Sequence, residues 1–179
     1  MSLRDFNGVS PTVHESAFID PTATVIGQVE IGAEVFVLPQ VVIRGDVNHI
    51  SIGAHTNIQD GTVIHVNSDS IIQPGGTGTT VGEHVTVGHK VLLHGCNIHD
   101  NTLIGMCSTV MDNVVVEENV MLAAGSLVTP GKRLESGNLY AGSPARLVRK
   151  LKDVEYDMIK WSAEHYSSLK AEHRRSVGA

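Results

Sequence analysis

Aliphatic residues mark this chain with a period of six. They fall at Ile19, Val25, Ile31, Val37 and Ile43, resume at Ile52, Ile58 and Ile64, and return at Val81, Val87 and Leu93. One residue is then missing from the phase, and the series runs on through Ile98, Ile104, Val110, Val116, Leu122 and Val128. Glycine often follows the aliphatic residue, as in Ile31-Gly32, Ile52-Gly53, Val81-Gly82, Val87-Gly88 and Ile104-Gly105. Six is neither the period of an amphipathic helix nor the alternation of a half-buried strand. Each hexamer reads as one short strand with its aliphatic residue inward, followed by a corner turned by small residues, Asn or Asp. Three hexamers close one triangular coil, and stacked coils pair as parallel strands about 4.8 Å apart. The pattern predicts a parallel β-helix of hexapeptide repeats. A β-sandwich of short strands would need alternation and hairpin signals that this chain lacks.

The repeat gives way near residue 142. Ser143 is a helix N-cap residue and Pro144 suits a first helical turn. Beyond them Leu147, Leu151, Val154, Met158, Trp161 and Leu169 recur at steps of three and four, with one longer gap spanned by His165 and Tyr166. The expected organisation is therefore a β-helix over residues 1–142 and a C-terminal amphipathic helix over 143–179. The apolar stripe of that helix needs a surface, on its own β-helix or on a neighbouring subunit.

Composition narrows the partners. Aromatic residues make up only 4% of the chain, which suits thin aliphatic packing better than a globular aromatic core. A net charge of -6 argues against nucleic acid, whose phosphates need clustered Lys and Arg. No apolar run approaches the roughly 18 residues of a membrane span, and the N-terminus lacks a signal-like apolar segment. Cys96 and Cys107 are too few for a disulfide framework. Both stand in apolar repeat positions and read as buried free thiols. A cytoplasmic location is expected.

A solenoid accommodates an insertion by ejecting it as a loop. The largest break lies between Ile64 and Val81 and includes Asp69 and the run Pro74-Gly75-Gly76-Thr77-Gly78. His65 follows the inward Ile64, and His94 follows the inward Leu93, 29 residues later. With an ejected loop of eleven residues the remaining 18 make one coil, so the two histidines sit one coil apart on the same edge. Side chains one strand spacing apart can share a metal. His89 precedes His94 by only five residues along the coil, near the neighbouring corner, and does not easily join the pair within one chain. A three-His site nevertheless fits zinc with an open fourth position. The conflict resolves if His89 comes from a neighbouring subunit, as in a cyclic trimer with identical interfacial sites. With ten histidines in the chain, such a spacing also arises by composition. His14, His49, His55, His84, His99, His165 and His173 read as solvated side chains.

Several segments carry a resemblance. The run Val87-Gly88-His89-Lys90-Val91-Leu92-Leu93-His94-Gly95-Cys96 resembles the metal-binding segment of the γ-class carbonic anhydrase superfamily. So do Ile43-Arg44-Gly45-Asp46 and Thr56-Asn57-Ile58-Gln59-Asp60-Gly61-Thr62. The close of the β-helix, Lys132-Arg133-Leu134-Glu135-Ser136-Gly137 and then Leu139-Tyr140-Ala141-Gly142-Ser143-Pro144-Ala145, looks like the bacterial YrdA branch. The resemblance implies a left-handed β-helix, a hand that periodicity cannot supply because parallel crossovers are generally right-handed. It also implies a homotrimer with zinc held by His65 and His94 of one subunit and His89 of the next. The implied reaction is reversible hydration of CO2 to bicarbonate by zinc-bound hydroxide. Imidazole ligands also accept Fe2+ or Co2+.

The same resemblance makes Gln59 and Asp60 active-site residues and Arg44 and Asp46 an interfacial pair, with Tyr140 a further catalytic candidate. Two departures stand out. The archetypal γ enzymes carry Glu where this chain has Val47, and their loop after the first ligand is richer in acidic residues. Here Asp69 is the only loop carboxylate, so it is the candidate proton shuttle, with His84 as the alternative. Lys90 reads equally as a surface residue or a substrate-facing charge. Other functions remain in view: a hexapeptide acyltransferase, suggested by Gly142-Ser143-Pro144-Ala145-Arg146, a CoA-thioester hydrolase, and a non-catalytic metal-holding or scaffold trimer; the partner is CO2/bicarbonate or another small molecule.

Overall fold

The computed structural model of the protein describes residues 2–178. Within them the six-residue phase becomes a solenoid with three faces of parallel strands. Face 1 carries Val63–His65, Leu92–His94, Thr109–Val110 and Leu127–Val128. Face 2 carries Thr79–Val81, Asn97–Ile98, Val115–Val116 and Arg133–Leu134. Face 3 runs from Phe18–Ile19 through Phe36–Val37, Asn57–Ile58, Thr86–Val87, Leu103–Ile104 and Met121–Leu122 to Asn138–Gly142. Two longer strands, Thr24–Ile31 and Val42–Ile52, continue round the edge from face 1 to face 2 and join both into one sheet.

The inward residues pair in register from coil to coil: Ile43 with Ile64, Ile64 with Leu93, and Leu93 with Val110. They are fully buried and form one continuous core with Val25, Ile58, Val87, Ile104 and Leu122. Each buried aliphatic side chain contributes about 1.5–3 kcal/mol, so the column needs no aromatic centre.

Two different devices turn the corners. The glycine after the aliphatic residue serves close stacking, because a side chain there would strike the next coil. A Cβ on Gly105 would lie 2.4 Å from the Ala124 amide nitrogen, and one on Gly53 would lie 2.6 Å from the Gly82 carbonyl carbon. The left-handed turn itself falls one or two residues later, and its residue types are broader than the small residues, Asn and Asp expected. Glu34, His55, His84, Lys90 and Cys107 all take φ between 54° and 60°. Such a conformation costs a non-glycine residue roughly 1–2 kcal/mol. An inter-coil hydrogen bond offsets that cost: the amides of His55, His84, Lys90 and Cys107 donate to the carbonyls of Ala33, Ala54, Asp60 and His89 at 2.8–3.0 Å. Lys90 and the exposed Cys107 are thus corner residues, and only Cys96 is the buried thiol expected of both. Burial pushes the Cys96 thiol up to about 12.

The C-terminal helix differs from expectation in its start and in its face. Ser143-Pro144, a cis bond, lies in the tight turn of a hairpin between Asn138–Gly142 and Ala145–Lys150. The helix begins only at Asp153 and ends at Ser176. Its first turn is fixed by Glu155, which accepts from the Lys152 amide and pairs with Arg149. The buried side is Ile159, Ser162, Ala163 and Lys170, whereas Val154, Met158 and Trp161 face outward. The reason lies beneath: the outer row of face 3 presents Phe18, Phe36 and Leu38, against which Tyr166 and Leu169 pack. Lys170 then ties the helix to Glu34 and to the Ser16 carbonyl. Among the described residues no helix is long and apolar enough to cross a membrane.

Candidate metal centre

Every break in the six-residue phase between inward residues of faces 1 and 2 falls on the edge joining them. Ile43 to Ile52 spans nine residues, Ile64 to Val81 seventeen and Leu93 to Ile98 five, while Val110 to Val116 keeps six. Register survives all three, since Ile52 pairs with Val81 and Val81 with Ile98. His65 pairs with His94, as an ejected loop of eleven residues requires. The loop neck is closed by Asn67 and Thr77, whose backbones exchange hydrogen bonds of 2.9 and 3.1 Å.

Four side chains on this edge form a ladder. Asp46 Oδ1 accepts from His65 Nε2 at 3.0 Å, and Asp112 Oδ1 accepts from His94 Nδ1 at 2.8 Å. Between them His65 Nδ1 and His94 Nε2 face each other at 3.2 Å. Each carboxylate holds the N–H on the outer ring nitrogen, which leaves a lone pair on each inner one. Two bare lone pairs at that distance repel, and either a proton or a metal cation between them relieves the repulsion. Ligand nitrogens about 2.0–2.1 Å from a tetrahedral zinc ion are about 3.3–3.4 Å apart, so the pair fits two corners of such a site.

The remaining candidates divide. Arg44 donates to the other oxygen of Asp46 and so braces the ladder. Burial opposes the charge on Asp46, but the bonds from His65 and Arg44 outweigh it and hold the carboxyl below its ordinary value. His89 lies on the edge between faces 3 and 1, its Nδ1 held by Asp60 Oδ2 at 2.8 Å. The left-handed corner at Lys90 and the strand Leu92–His94 separate it from His94 along the chain. Among the described residues no set of three or more ligand-type side chains converges within the chain.

Gln59 is buried, and its Nε2 donates to Asn57 Oδ1 at 3.2 Å. Asn57 in turn reaches Thr86, which meets Ser162 of the helix at 3.0 Å. Tyr166 of the same helix lies close to Asp60; burial and that carboxylate raise its hydroxyl above the ordinary range.

Three expectations fall outside this cluster. Tyr140 is buried in the core, and its hydroxyl accepts from the Glu135 amide at 2.9 Å. It pairs with Leu122, further along face 3, and so occupies a packing position, not one beside the histidines. Asp69 accepts from the Gly75 amide at 2.7 Å and shapes the loop. His84 stacks on His55 at 4.8 Å on the edge between faces 2 and 3. Asp112, Asn57 and Tyr166 were not anticipated. Asp112 left no signal in the phase, because the coil from Leu93 to Val110 has 17 residues and puts Met111, not Asp112, in the position of His94.

Residues 95–130 match the family model described as bacterial transferase hexapeptide (six repeats). The chain is 47% identical over 171 residues to protein YrdA of Escherichia coli (strain K12), covering 96% of this chain and 93% of that protein. It is 44% identical to gamma carbonic anhydrase 1, mitochondrial, of Arabidopsis thaliana, over 92% of this chain but only 59% of the plant protein's length. Among solved structures, a hexapeptide transferase family protein from Anaplasma phagocytophilum superposes with a TM-score of 0.88 at 43% identity, covering 96% and 97% of the two chains. A YrdA relative matched at such identity over nearly the whole of both chains places this protein by descent as well as by shape: the chain belongs to the γ-carbonic anhydrase-like family of hexapeptide-repeat proteins, in its YrdA branch.

Proposed function

We propose that the chain is a γ-carbonic anhydrase-type metal enzyme, a homotrimer that hydrates CO2 reversibly at sites between subunits. The observation that carries this is the paired lone pairs of His65 and His94, 3.2 Å apart and each backed by a carboxylate. His89 of a neighbouring copy supplies the third nitrogen, since its own chain holds it a face-width away while Asp60 fixes its ring. The outer row of face 1, between the two edges, favours such a neighbour. It carries Val42, Val63, Leu92 and Leu127 between Thr24 and Thr109, and Val63 and Leu92 are 39% and 38% exposed among the described residues.

Zinc suits three imidazoles best, with Fe2+ and Co2+ as alternatives. When bound, such an ion supplies a Lewis acid that brings the pKa of water to about 7. The chain's own residues do the rest. Asp46 and Asp112 orient two ligands and favour the tautomer with its N–H on the outer nitrogen, and Arg44 holds Asp46 in place. Gln59, held by Asn57, offers a polar group beside the His89 edge for orienting substrate. Proton removal is the weak link. Asp69 is committed to the Gly75 amide and Val47 stands where the archetypal enzymes carry Glu. Turnover should therefore depend on added buffer.

Stopped-flow CO2 hydration tests this on zinc-loaded and anaerobically iron-loaded protein with a His94→Ala control. Metal-dependent turnover that rises with imidazole buffer and vanishes in the variant is the expected result. No turnover in either metal form would overturn the assignment. Acyl transfer or thioester hydrolysis is the second reading, favoured by the transferase repeat at residues 95–130. CoA release from acetyl-CoA that persists in His94→Ala would select it.

A further inference from the structure

Ile71 and Ile72, at the tip of the loop that follows His65, are 100% and 91% exposed. Single exposed aliphatic residues are ordinary, but two adjacent β-branched ones standing wholly in water have no counterpart elsewhere among the described residues. The loop that carries them is tied down. The backbones of Ser70 and Gln73 exchange hydrogen bonds of 3.1 and 3.2 Å across the tip. Asn48 Nδ2 donates to the carbonyls of Asn67 and Gly75, and Gln73 Nε2 donates to Asn113 Oδ1 at 3.2 Å. Asn67 Nδ2 reaches both Gln73 and Asp112. These bonds anchor the loop to the edge that bears His65 and His94, so the two isoleucines project from a fixed base beside the ligand pair.

We propose that Ile71 and Ile72 are an apolar hook that seats on a second copy of this chain, the copy whose His89 completes the ligand set. This rests on the interfacial reading of the metal site given above. Because the missing ligand lies a face-width away within each chain, the completing copy must approach the edge from which the loop springs. The loop is rooted at that same edge, with its two isoleucines nearly free of contacts within their own chain. The approaching surface is apolar, since each copy presents the same row with the exposed Val63 and Leu92 on face 1, beside its His89 edge. A tether at the ligand edge also explains why the loop is braced by side chains of the solenoid instead of lying slack.

The test uses the full-length, zinc-loaded chain with Ile71→Ser/Ile72→Ser and the harsher Ile71→Asp/Ile72→Asp. Sedimentation across a dilution series gives the assembly midpoint, plasma mass spectrometry gives zinc per chain, and far-UV circular dichroism verifies the fold. The expected result for the Asp pair is a midpoint raised by at least about tenfold, with zinc lost in step on dilution and an unchanged β spectrum. An unchanged midpoint overturns the hook. This includes the case in which only the KM for CO2 moves, which would assign the tip to the substrate entrance. A His89→Ala control separates the two levels. Zinc retained in that variant sinks the interfacial site itself, whereas zinc lost there with an unaltered Asp-pair midpoint sinks only the hook.

Discussion

At the scale of single residues, the Asp46–His65–His94–Asp112 ladder works because a carboxylate on the far nitrogen decides which ring nitrogen keeps its lone pair. Asp112→Asn keeps the shape but can present an N–H to His94, which then carries its own proton on the inner nitrogen. Zinc affinity, measured by competition with a chromogenic chelator, should fall by about 10–100-fold while the melting temperature of the metal-free chain barely moves. An unchanged affinity would show that Asp112 only packs. The pairing of His65 with His94 was readable from the sequence because the two share one phase position. Asp112 does not share it, because the coil from Leu93 to Val110 is one residue short and puts Met111 at that position, and an aspartate at a corner is so ordinary in a hexapeptide repeat that nothing singles it out. Tyr140 shows the reverse error. Its motif resembles a functional segment, but in this fold a residue that pairs with Leu122 points into the core.

Among elements, the coils stand or fall on their closest backbone approaches. Gly105→Ala puts a Cβ 2.4 Å from the Ala124 amide nitrogen, and a backbone atom cannot swing aside. The expected cost is about 1–3 kcal/mol, read as a lowered denaturant midpoint with unchanged slope. The helix start offers a pH prediction. The Arg149 pair and the Lys152 amide hold Glu155 down at about 2, against 4.5 ordinarily. A depressed carboxyl contributes above its unfolded pKa and loses that contribution as pH falls through the folded one. The stability advantage of the wild type over Glu155→Gln, followed by helical ellipticity, should thus be full above pH 4.5 and fade towards pH 2. The strands were legible because a core one residue wide leaves its period in the chain. The helix face was not, because a stripe of Val154, Met158 and Trp161 is as regular as the buried one. Only the aromatic row on face 3 decides between them. Ser143-Pro144 suits a hairpin turn as well as a helix cap, and local preference alone does not separate the two.

For the whole molecule, metal, assembly and stability are one equilibrium if the third ligand comes from another copy. Chelation should then lower the assembly state and the melting temperature together, and zinc should restore both. Light scattering before and after treatment with a chelator checks this. Loss of metal without loss of assembly would show that the apolar row of face 1 holds the subunits without help. The corners carry a further consequence. Because a bond between coils, not the side chain, imposes the left-handed turn at His55, His84, Lys90 and Cys107, the two edges that flank face 3 are columns of blank tiles at strand spacing. A designer could print a row of imidazoles or carboxylates there, one per storey, and obtain a ruled surface for a periodic template such as a mineral face, without rewriting the core behind it.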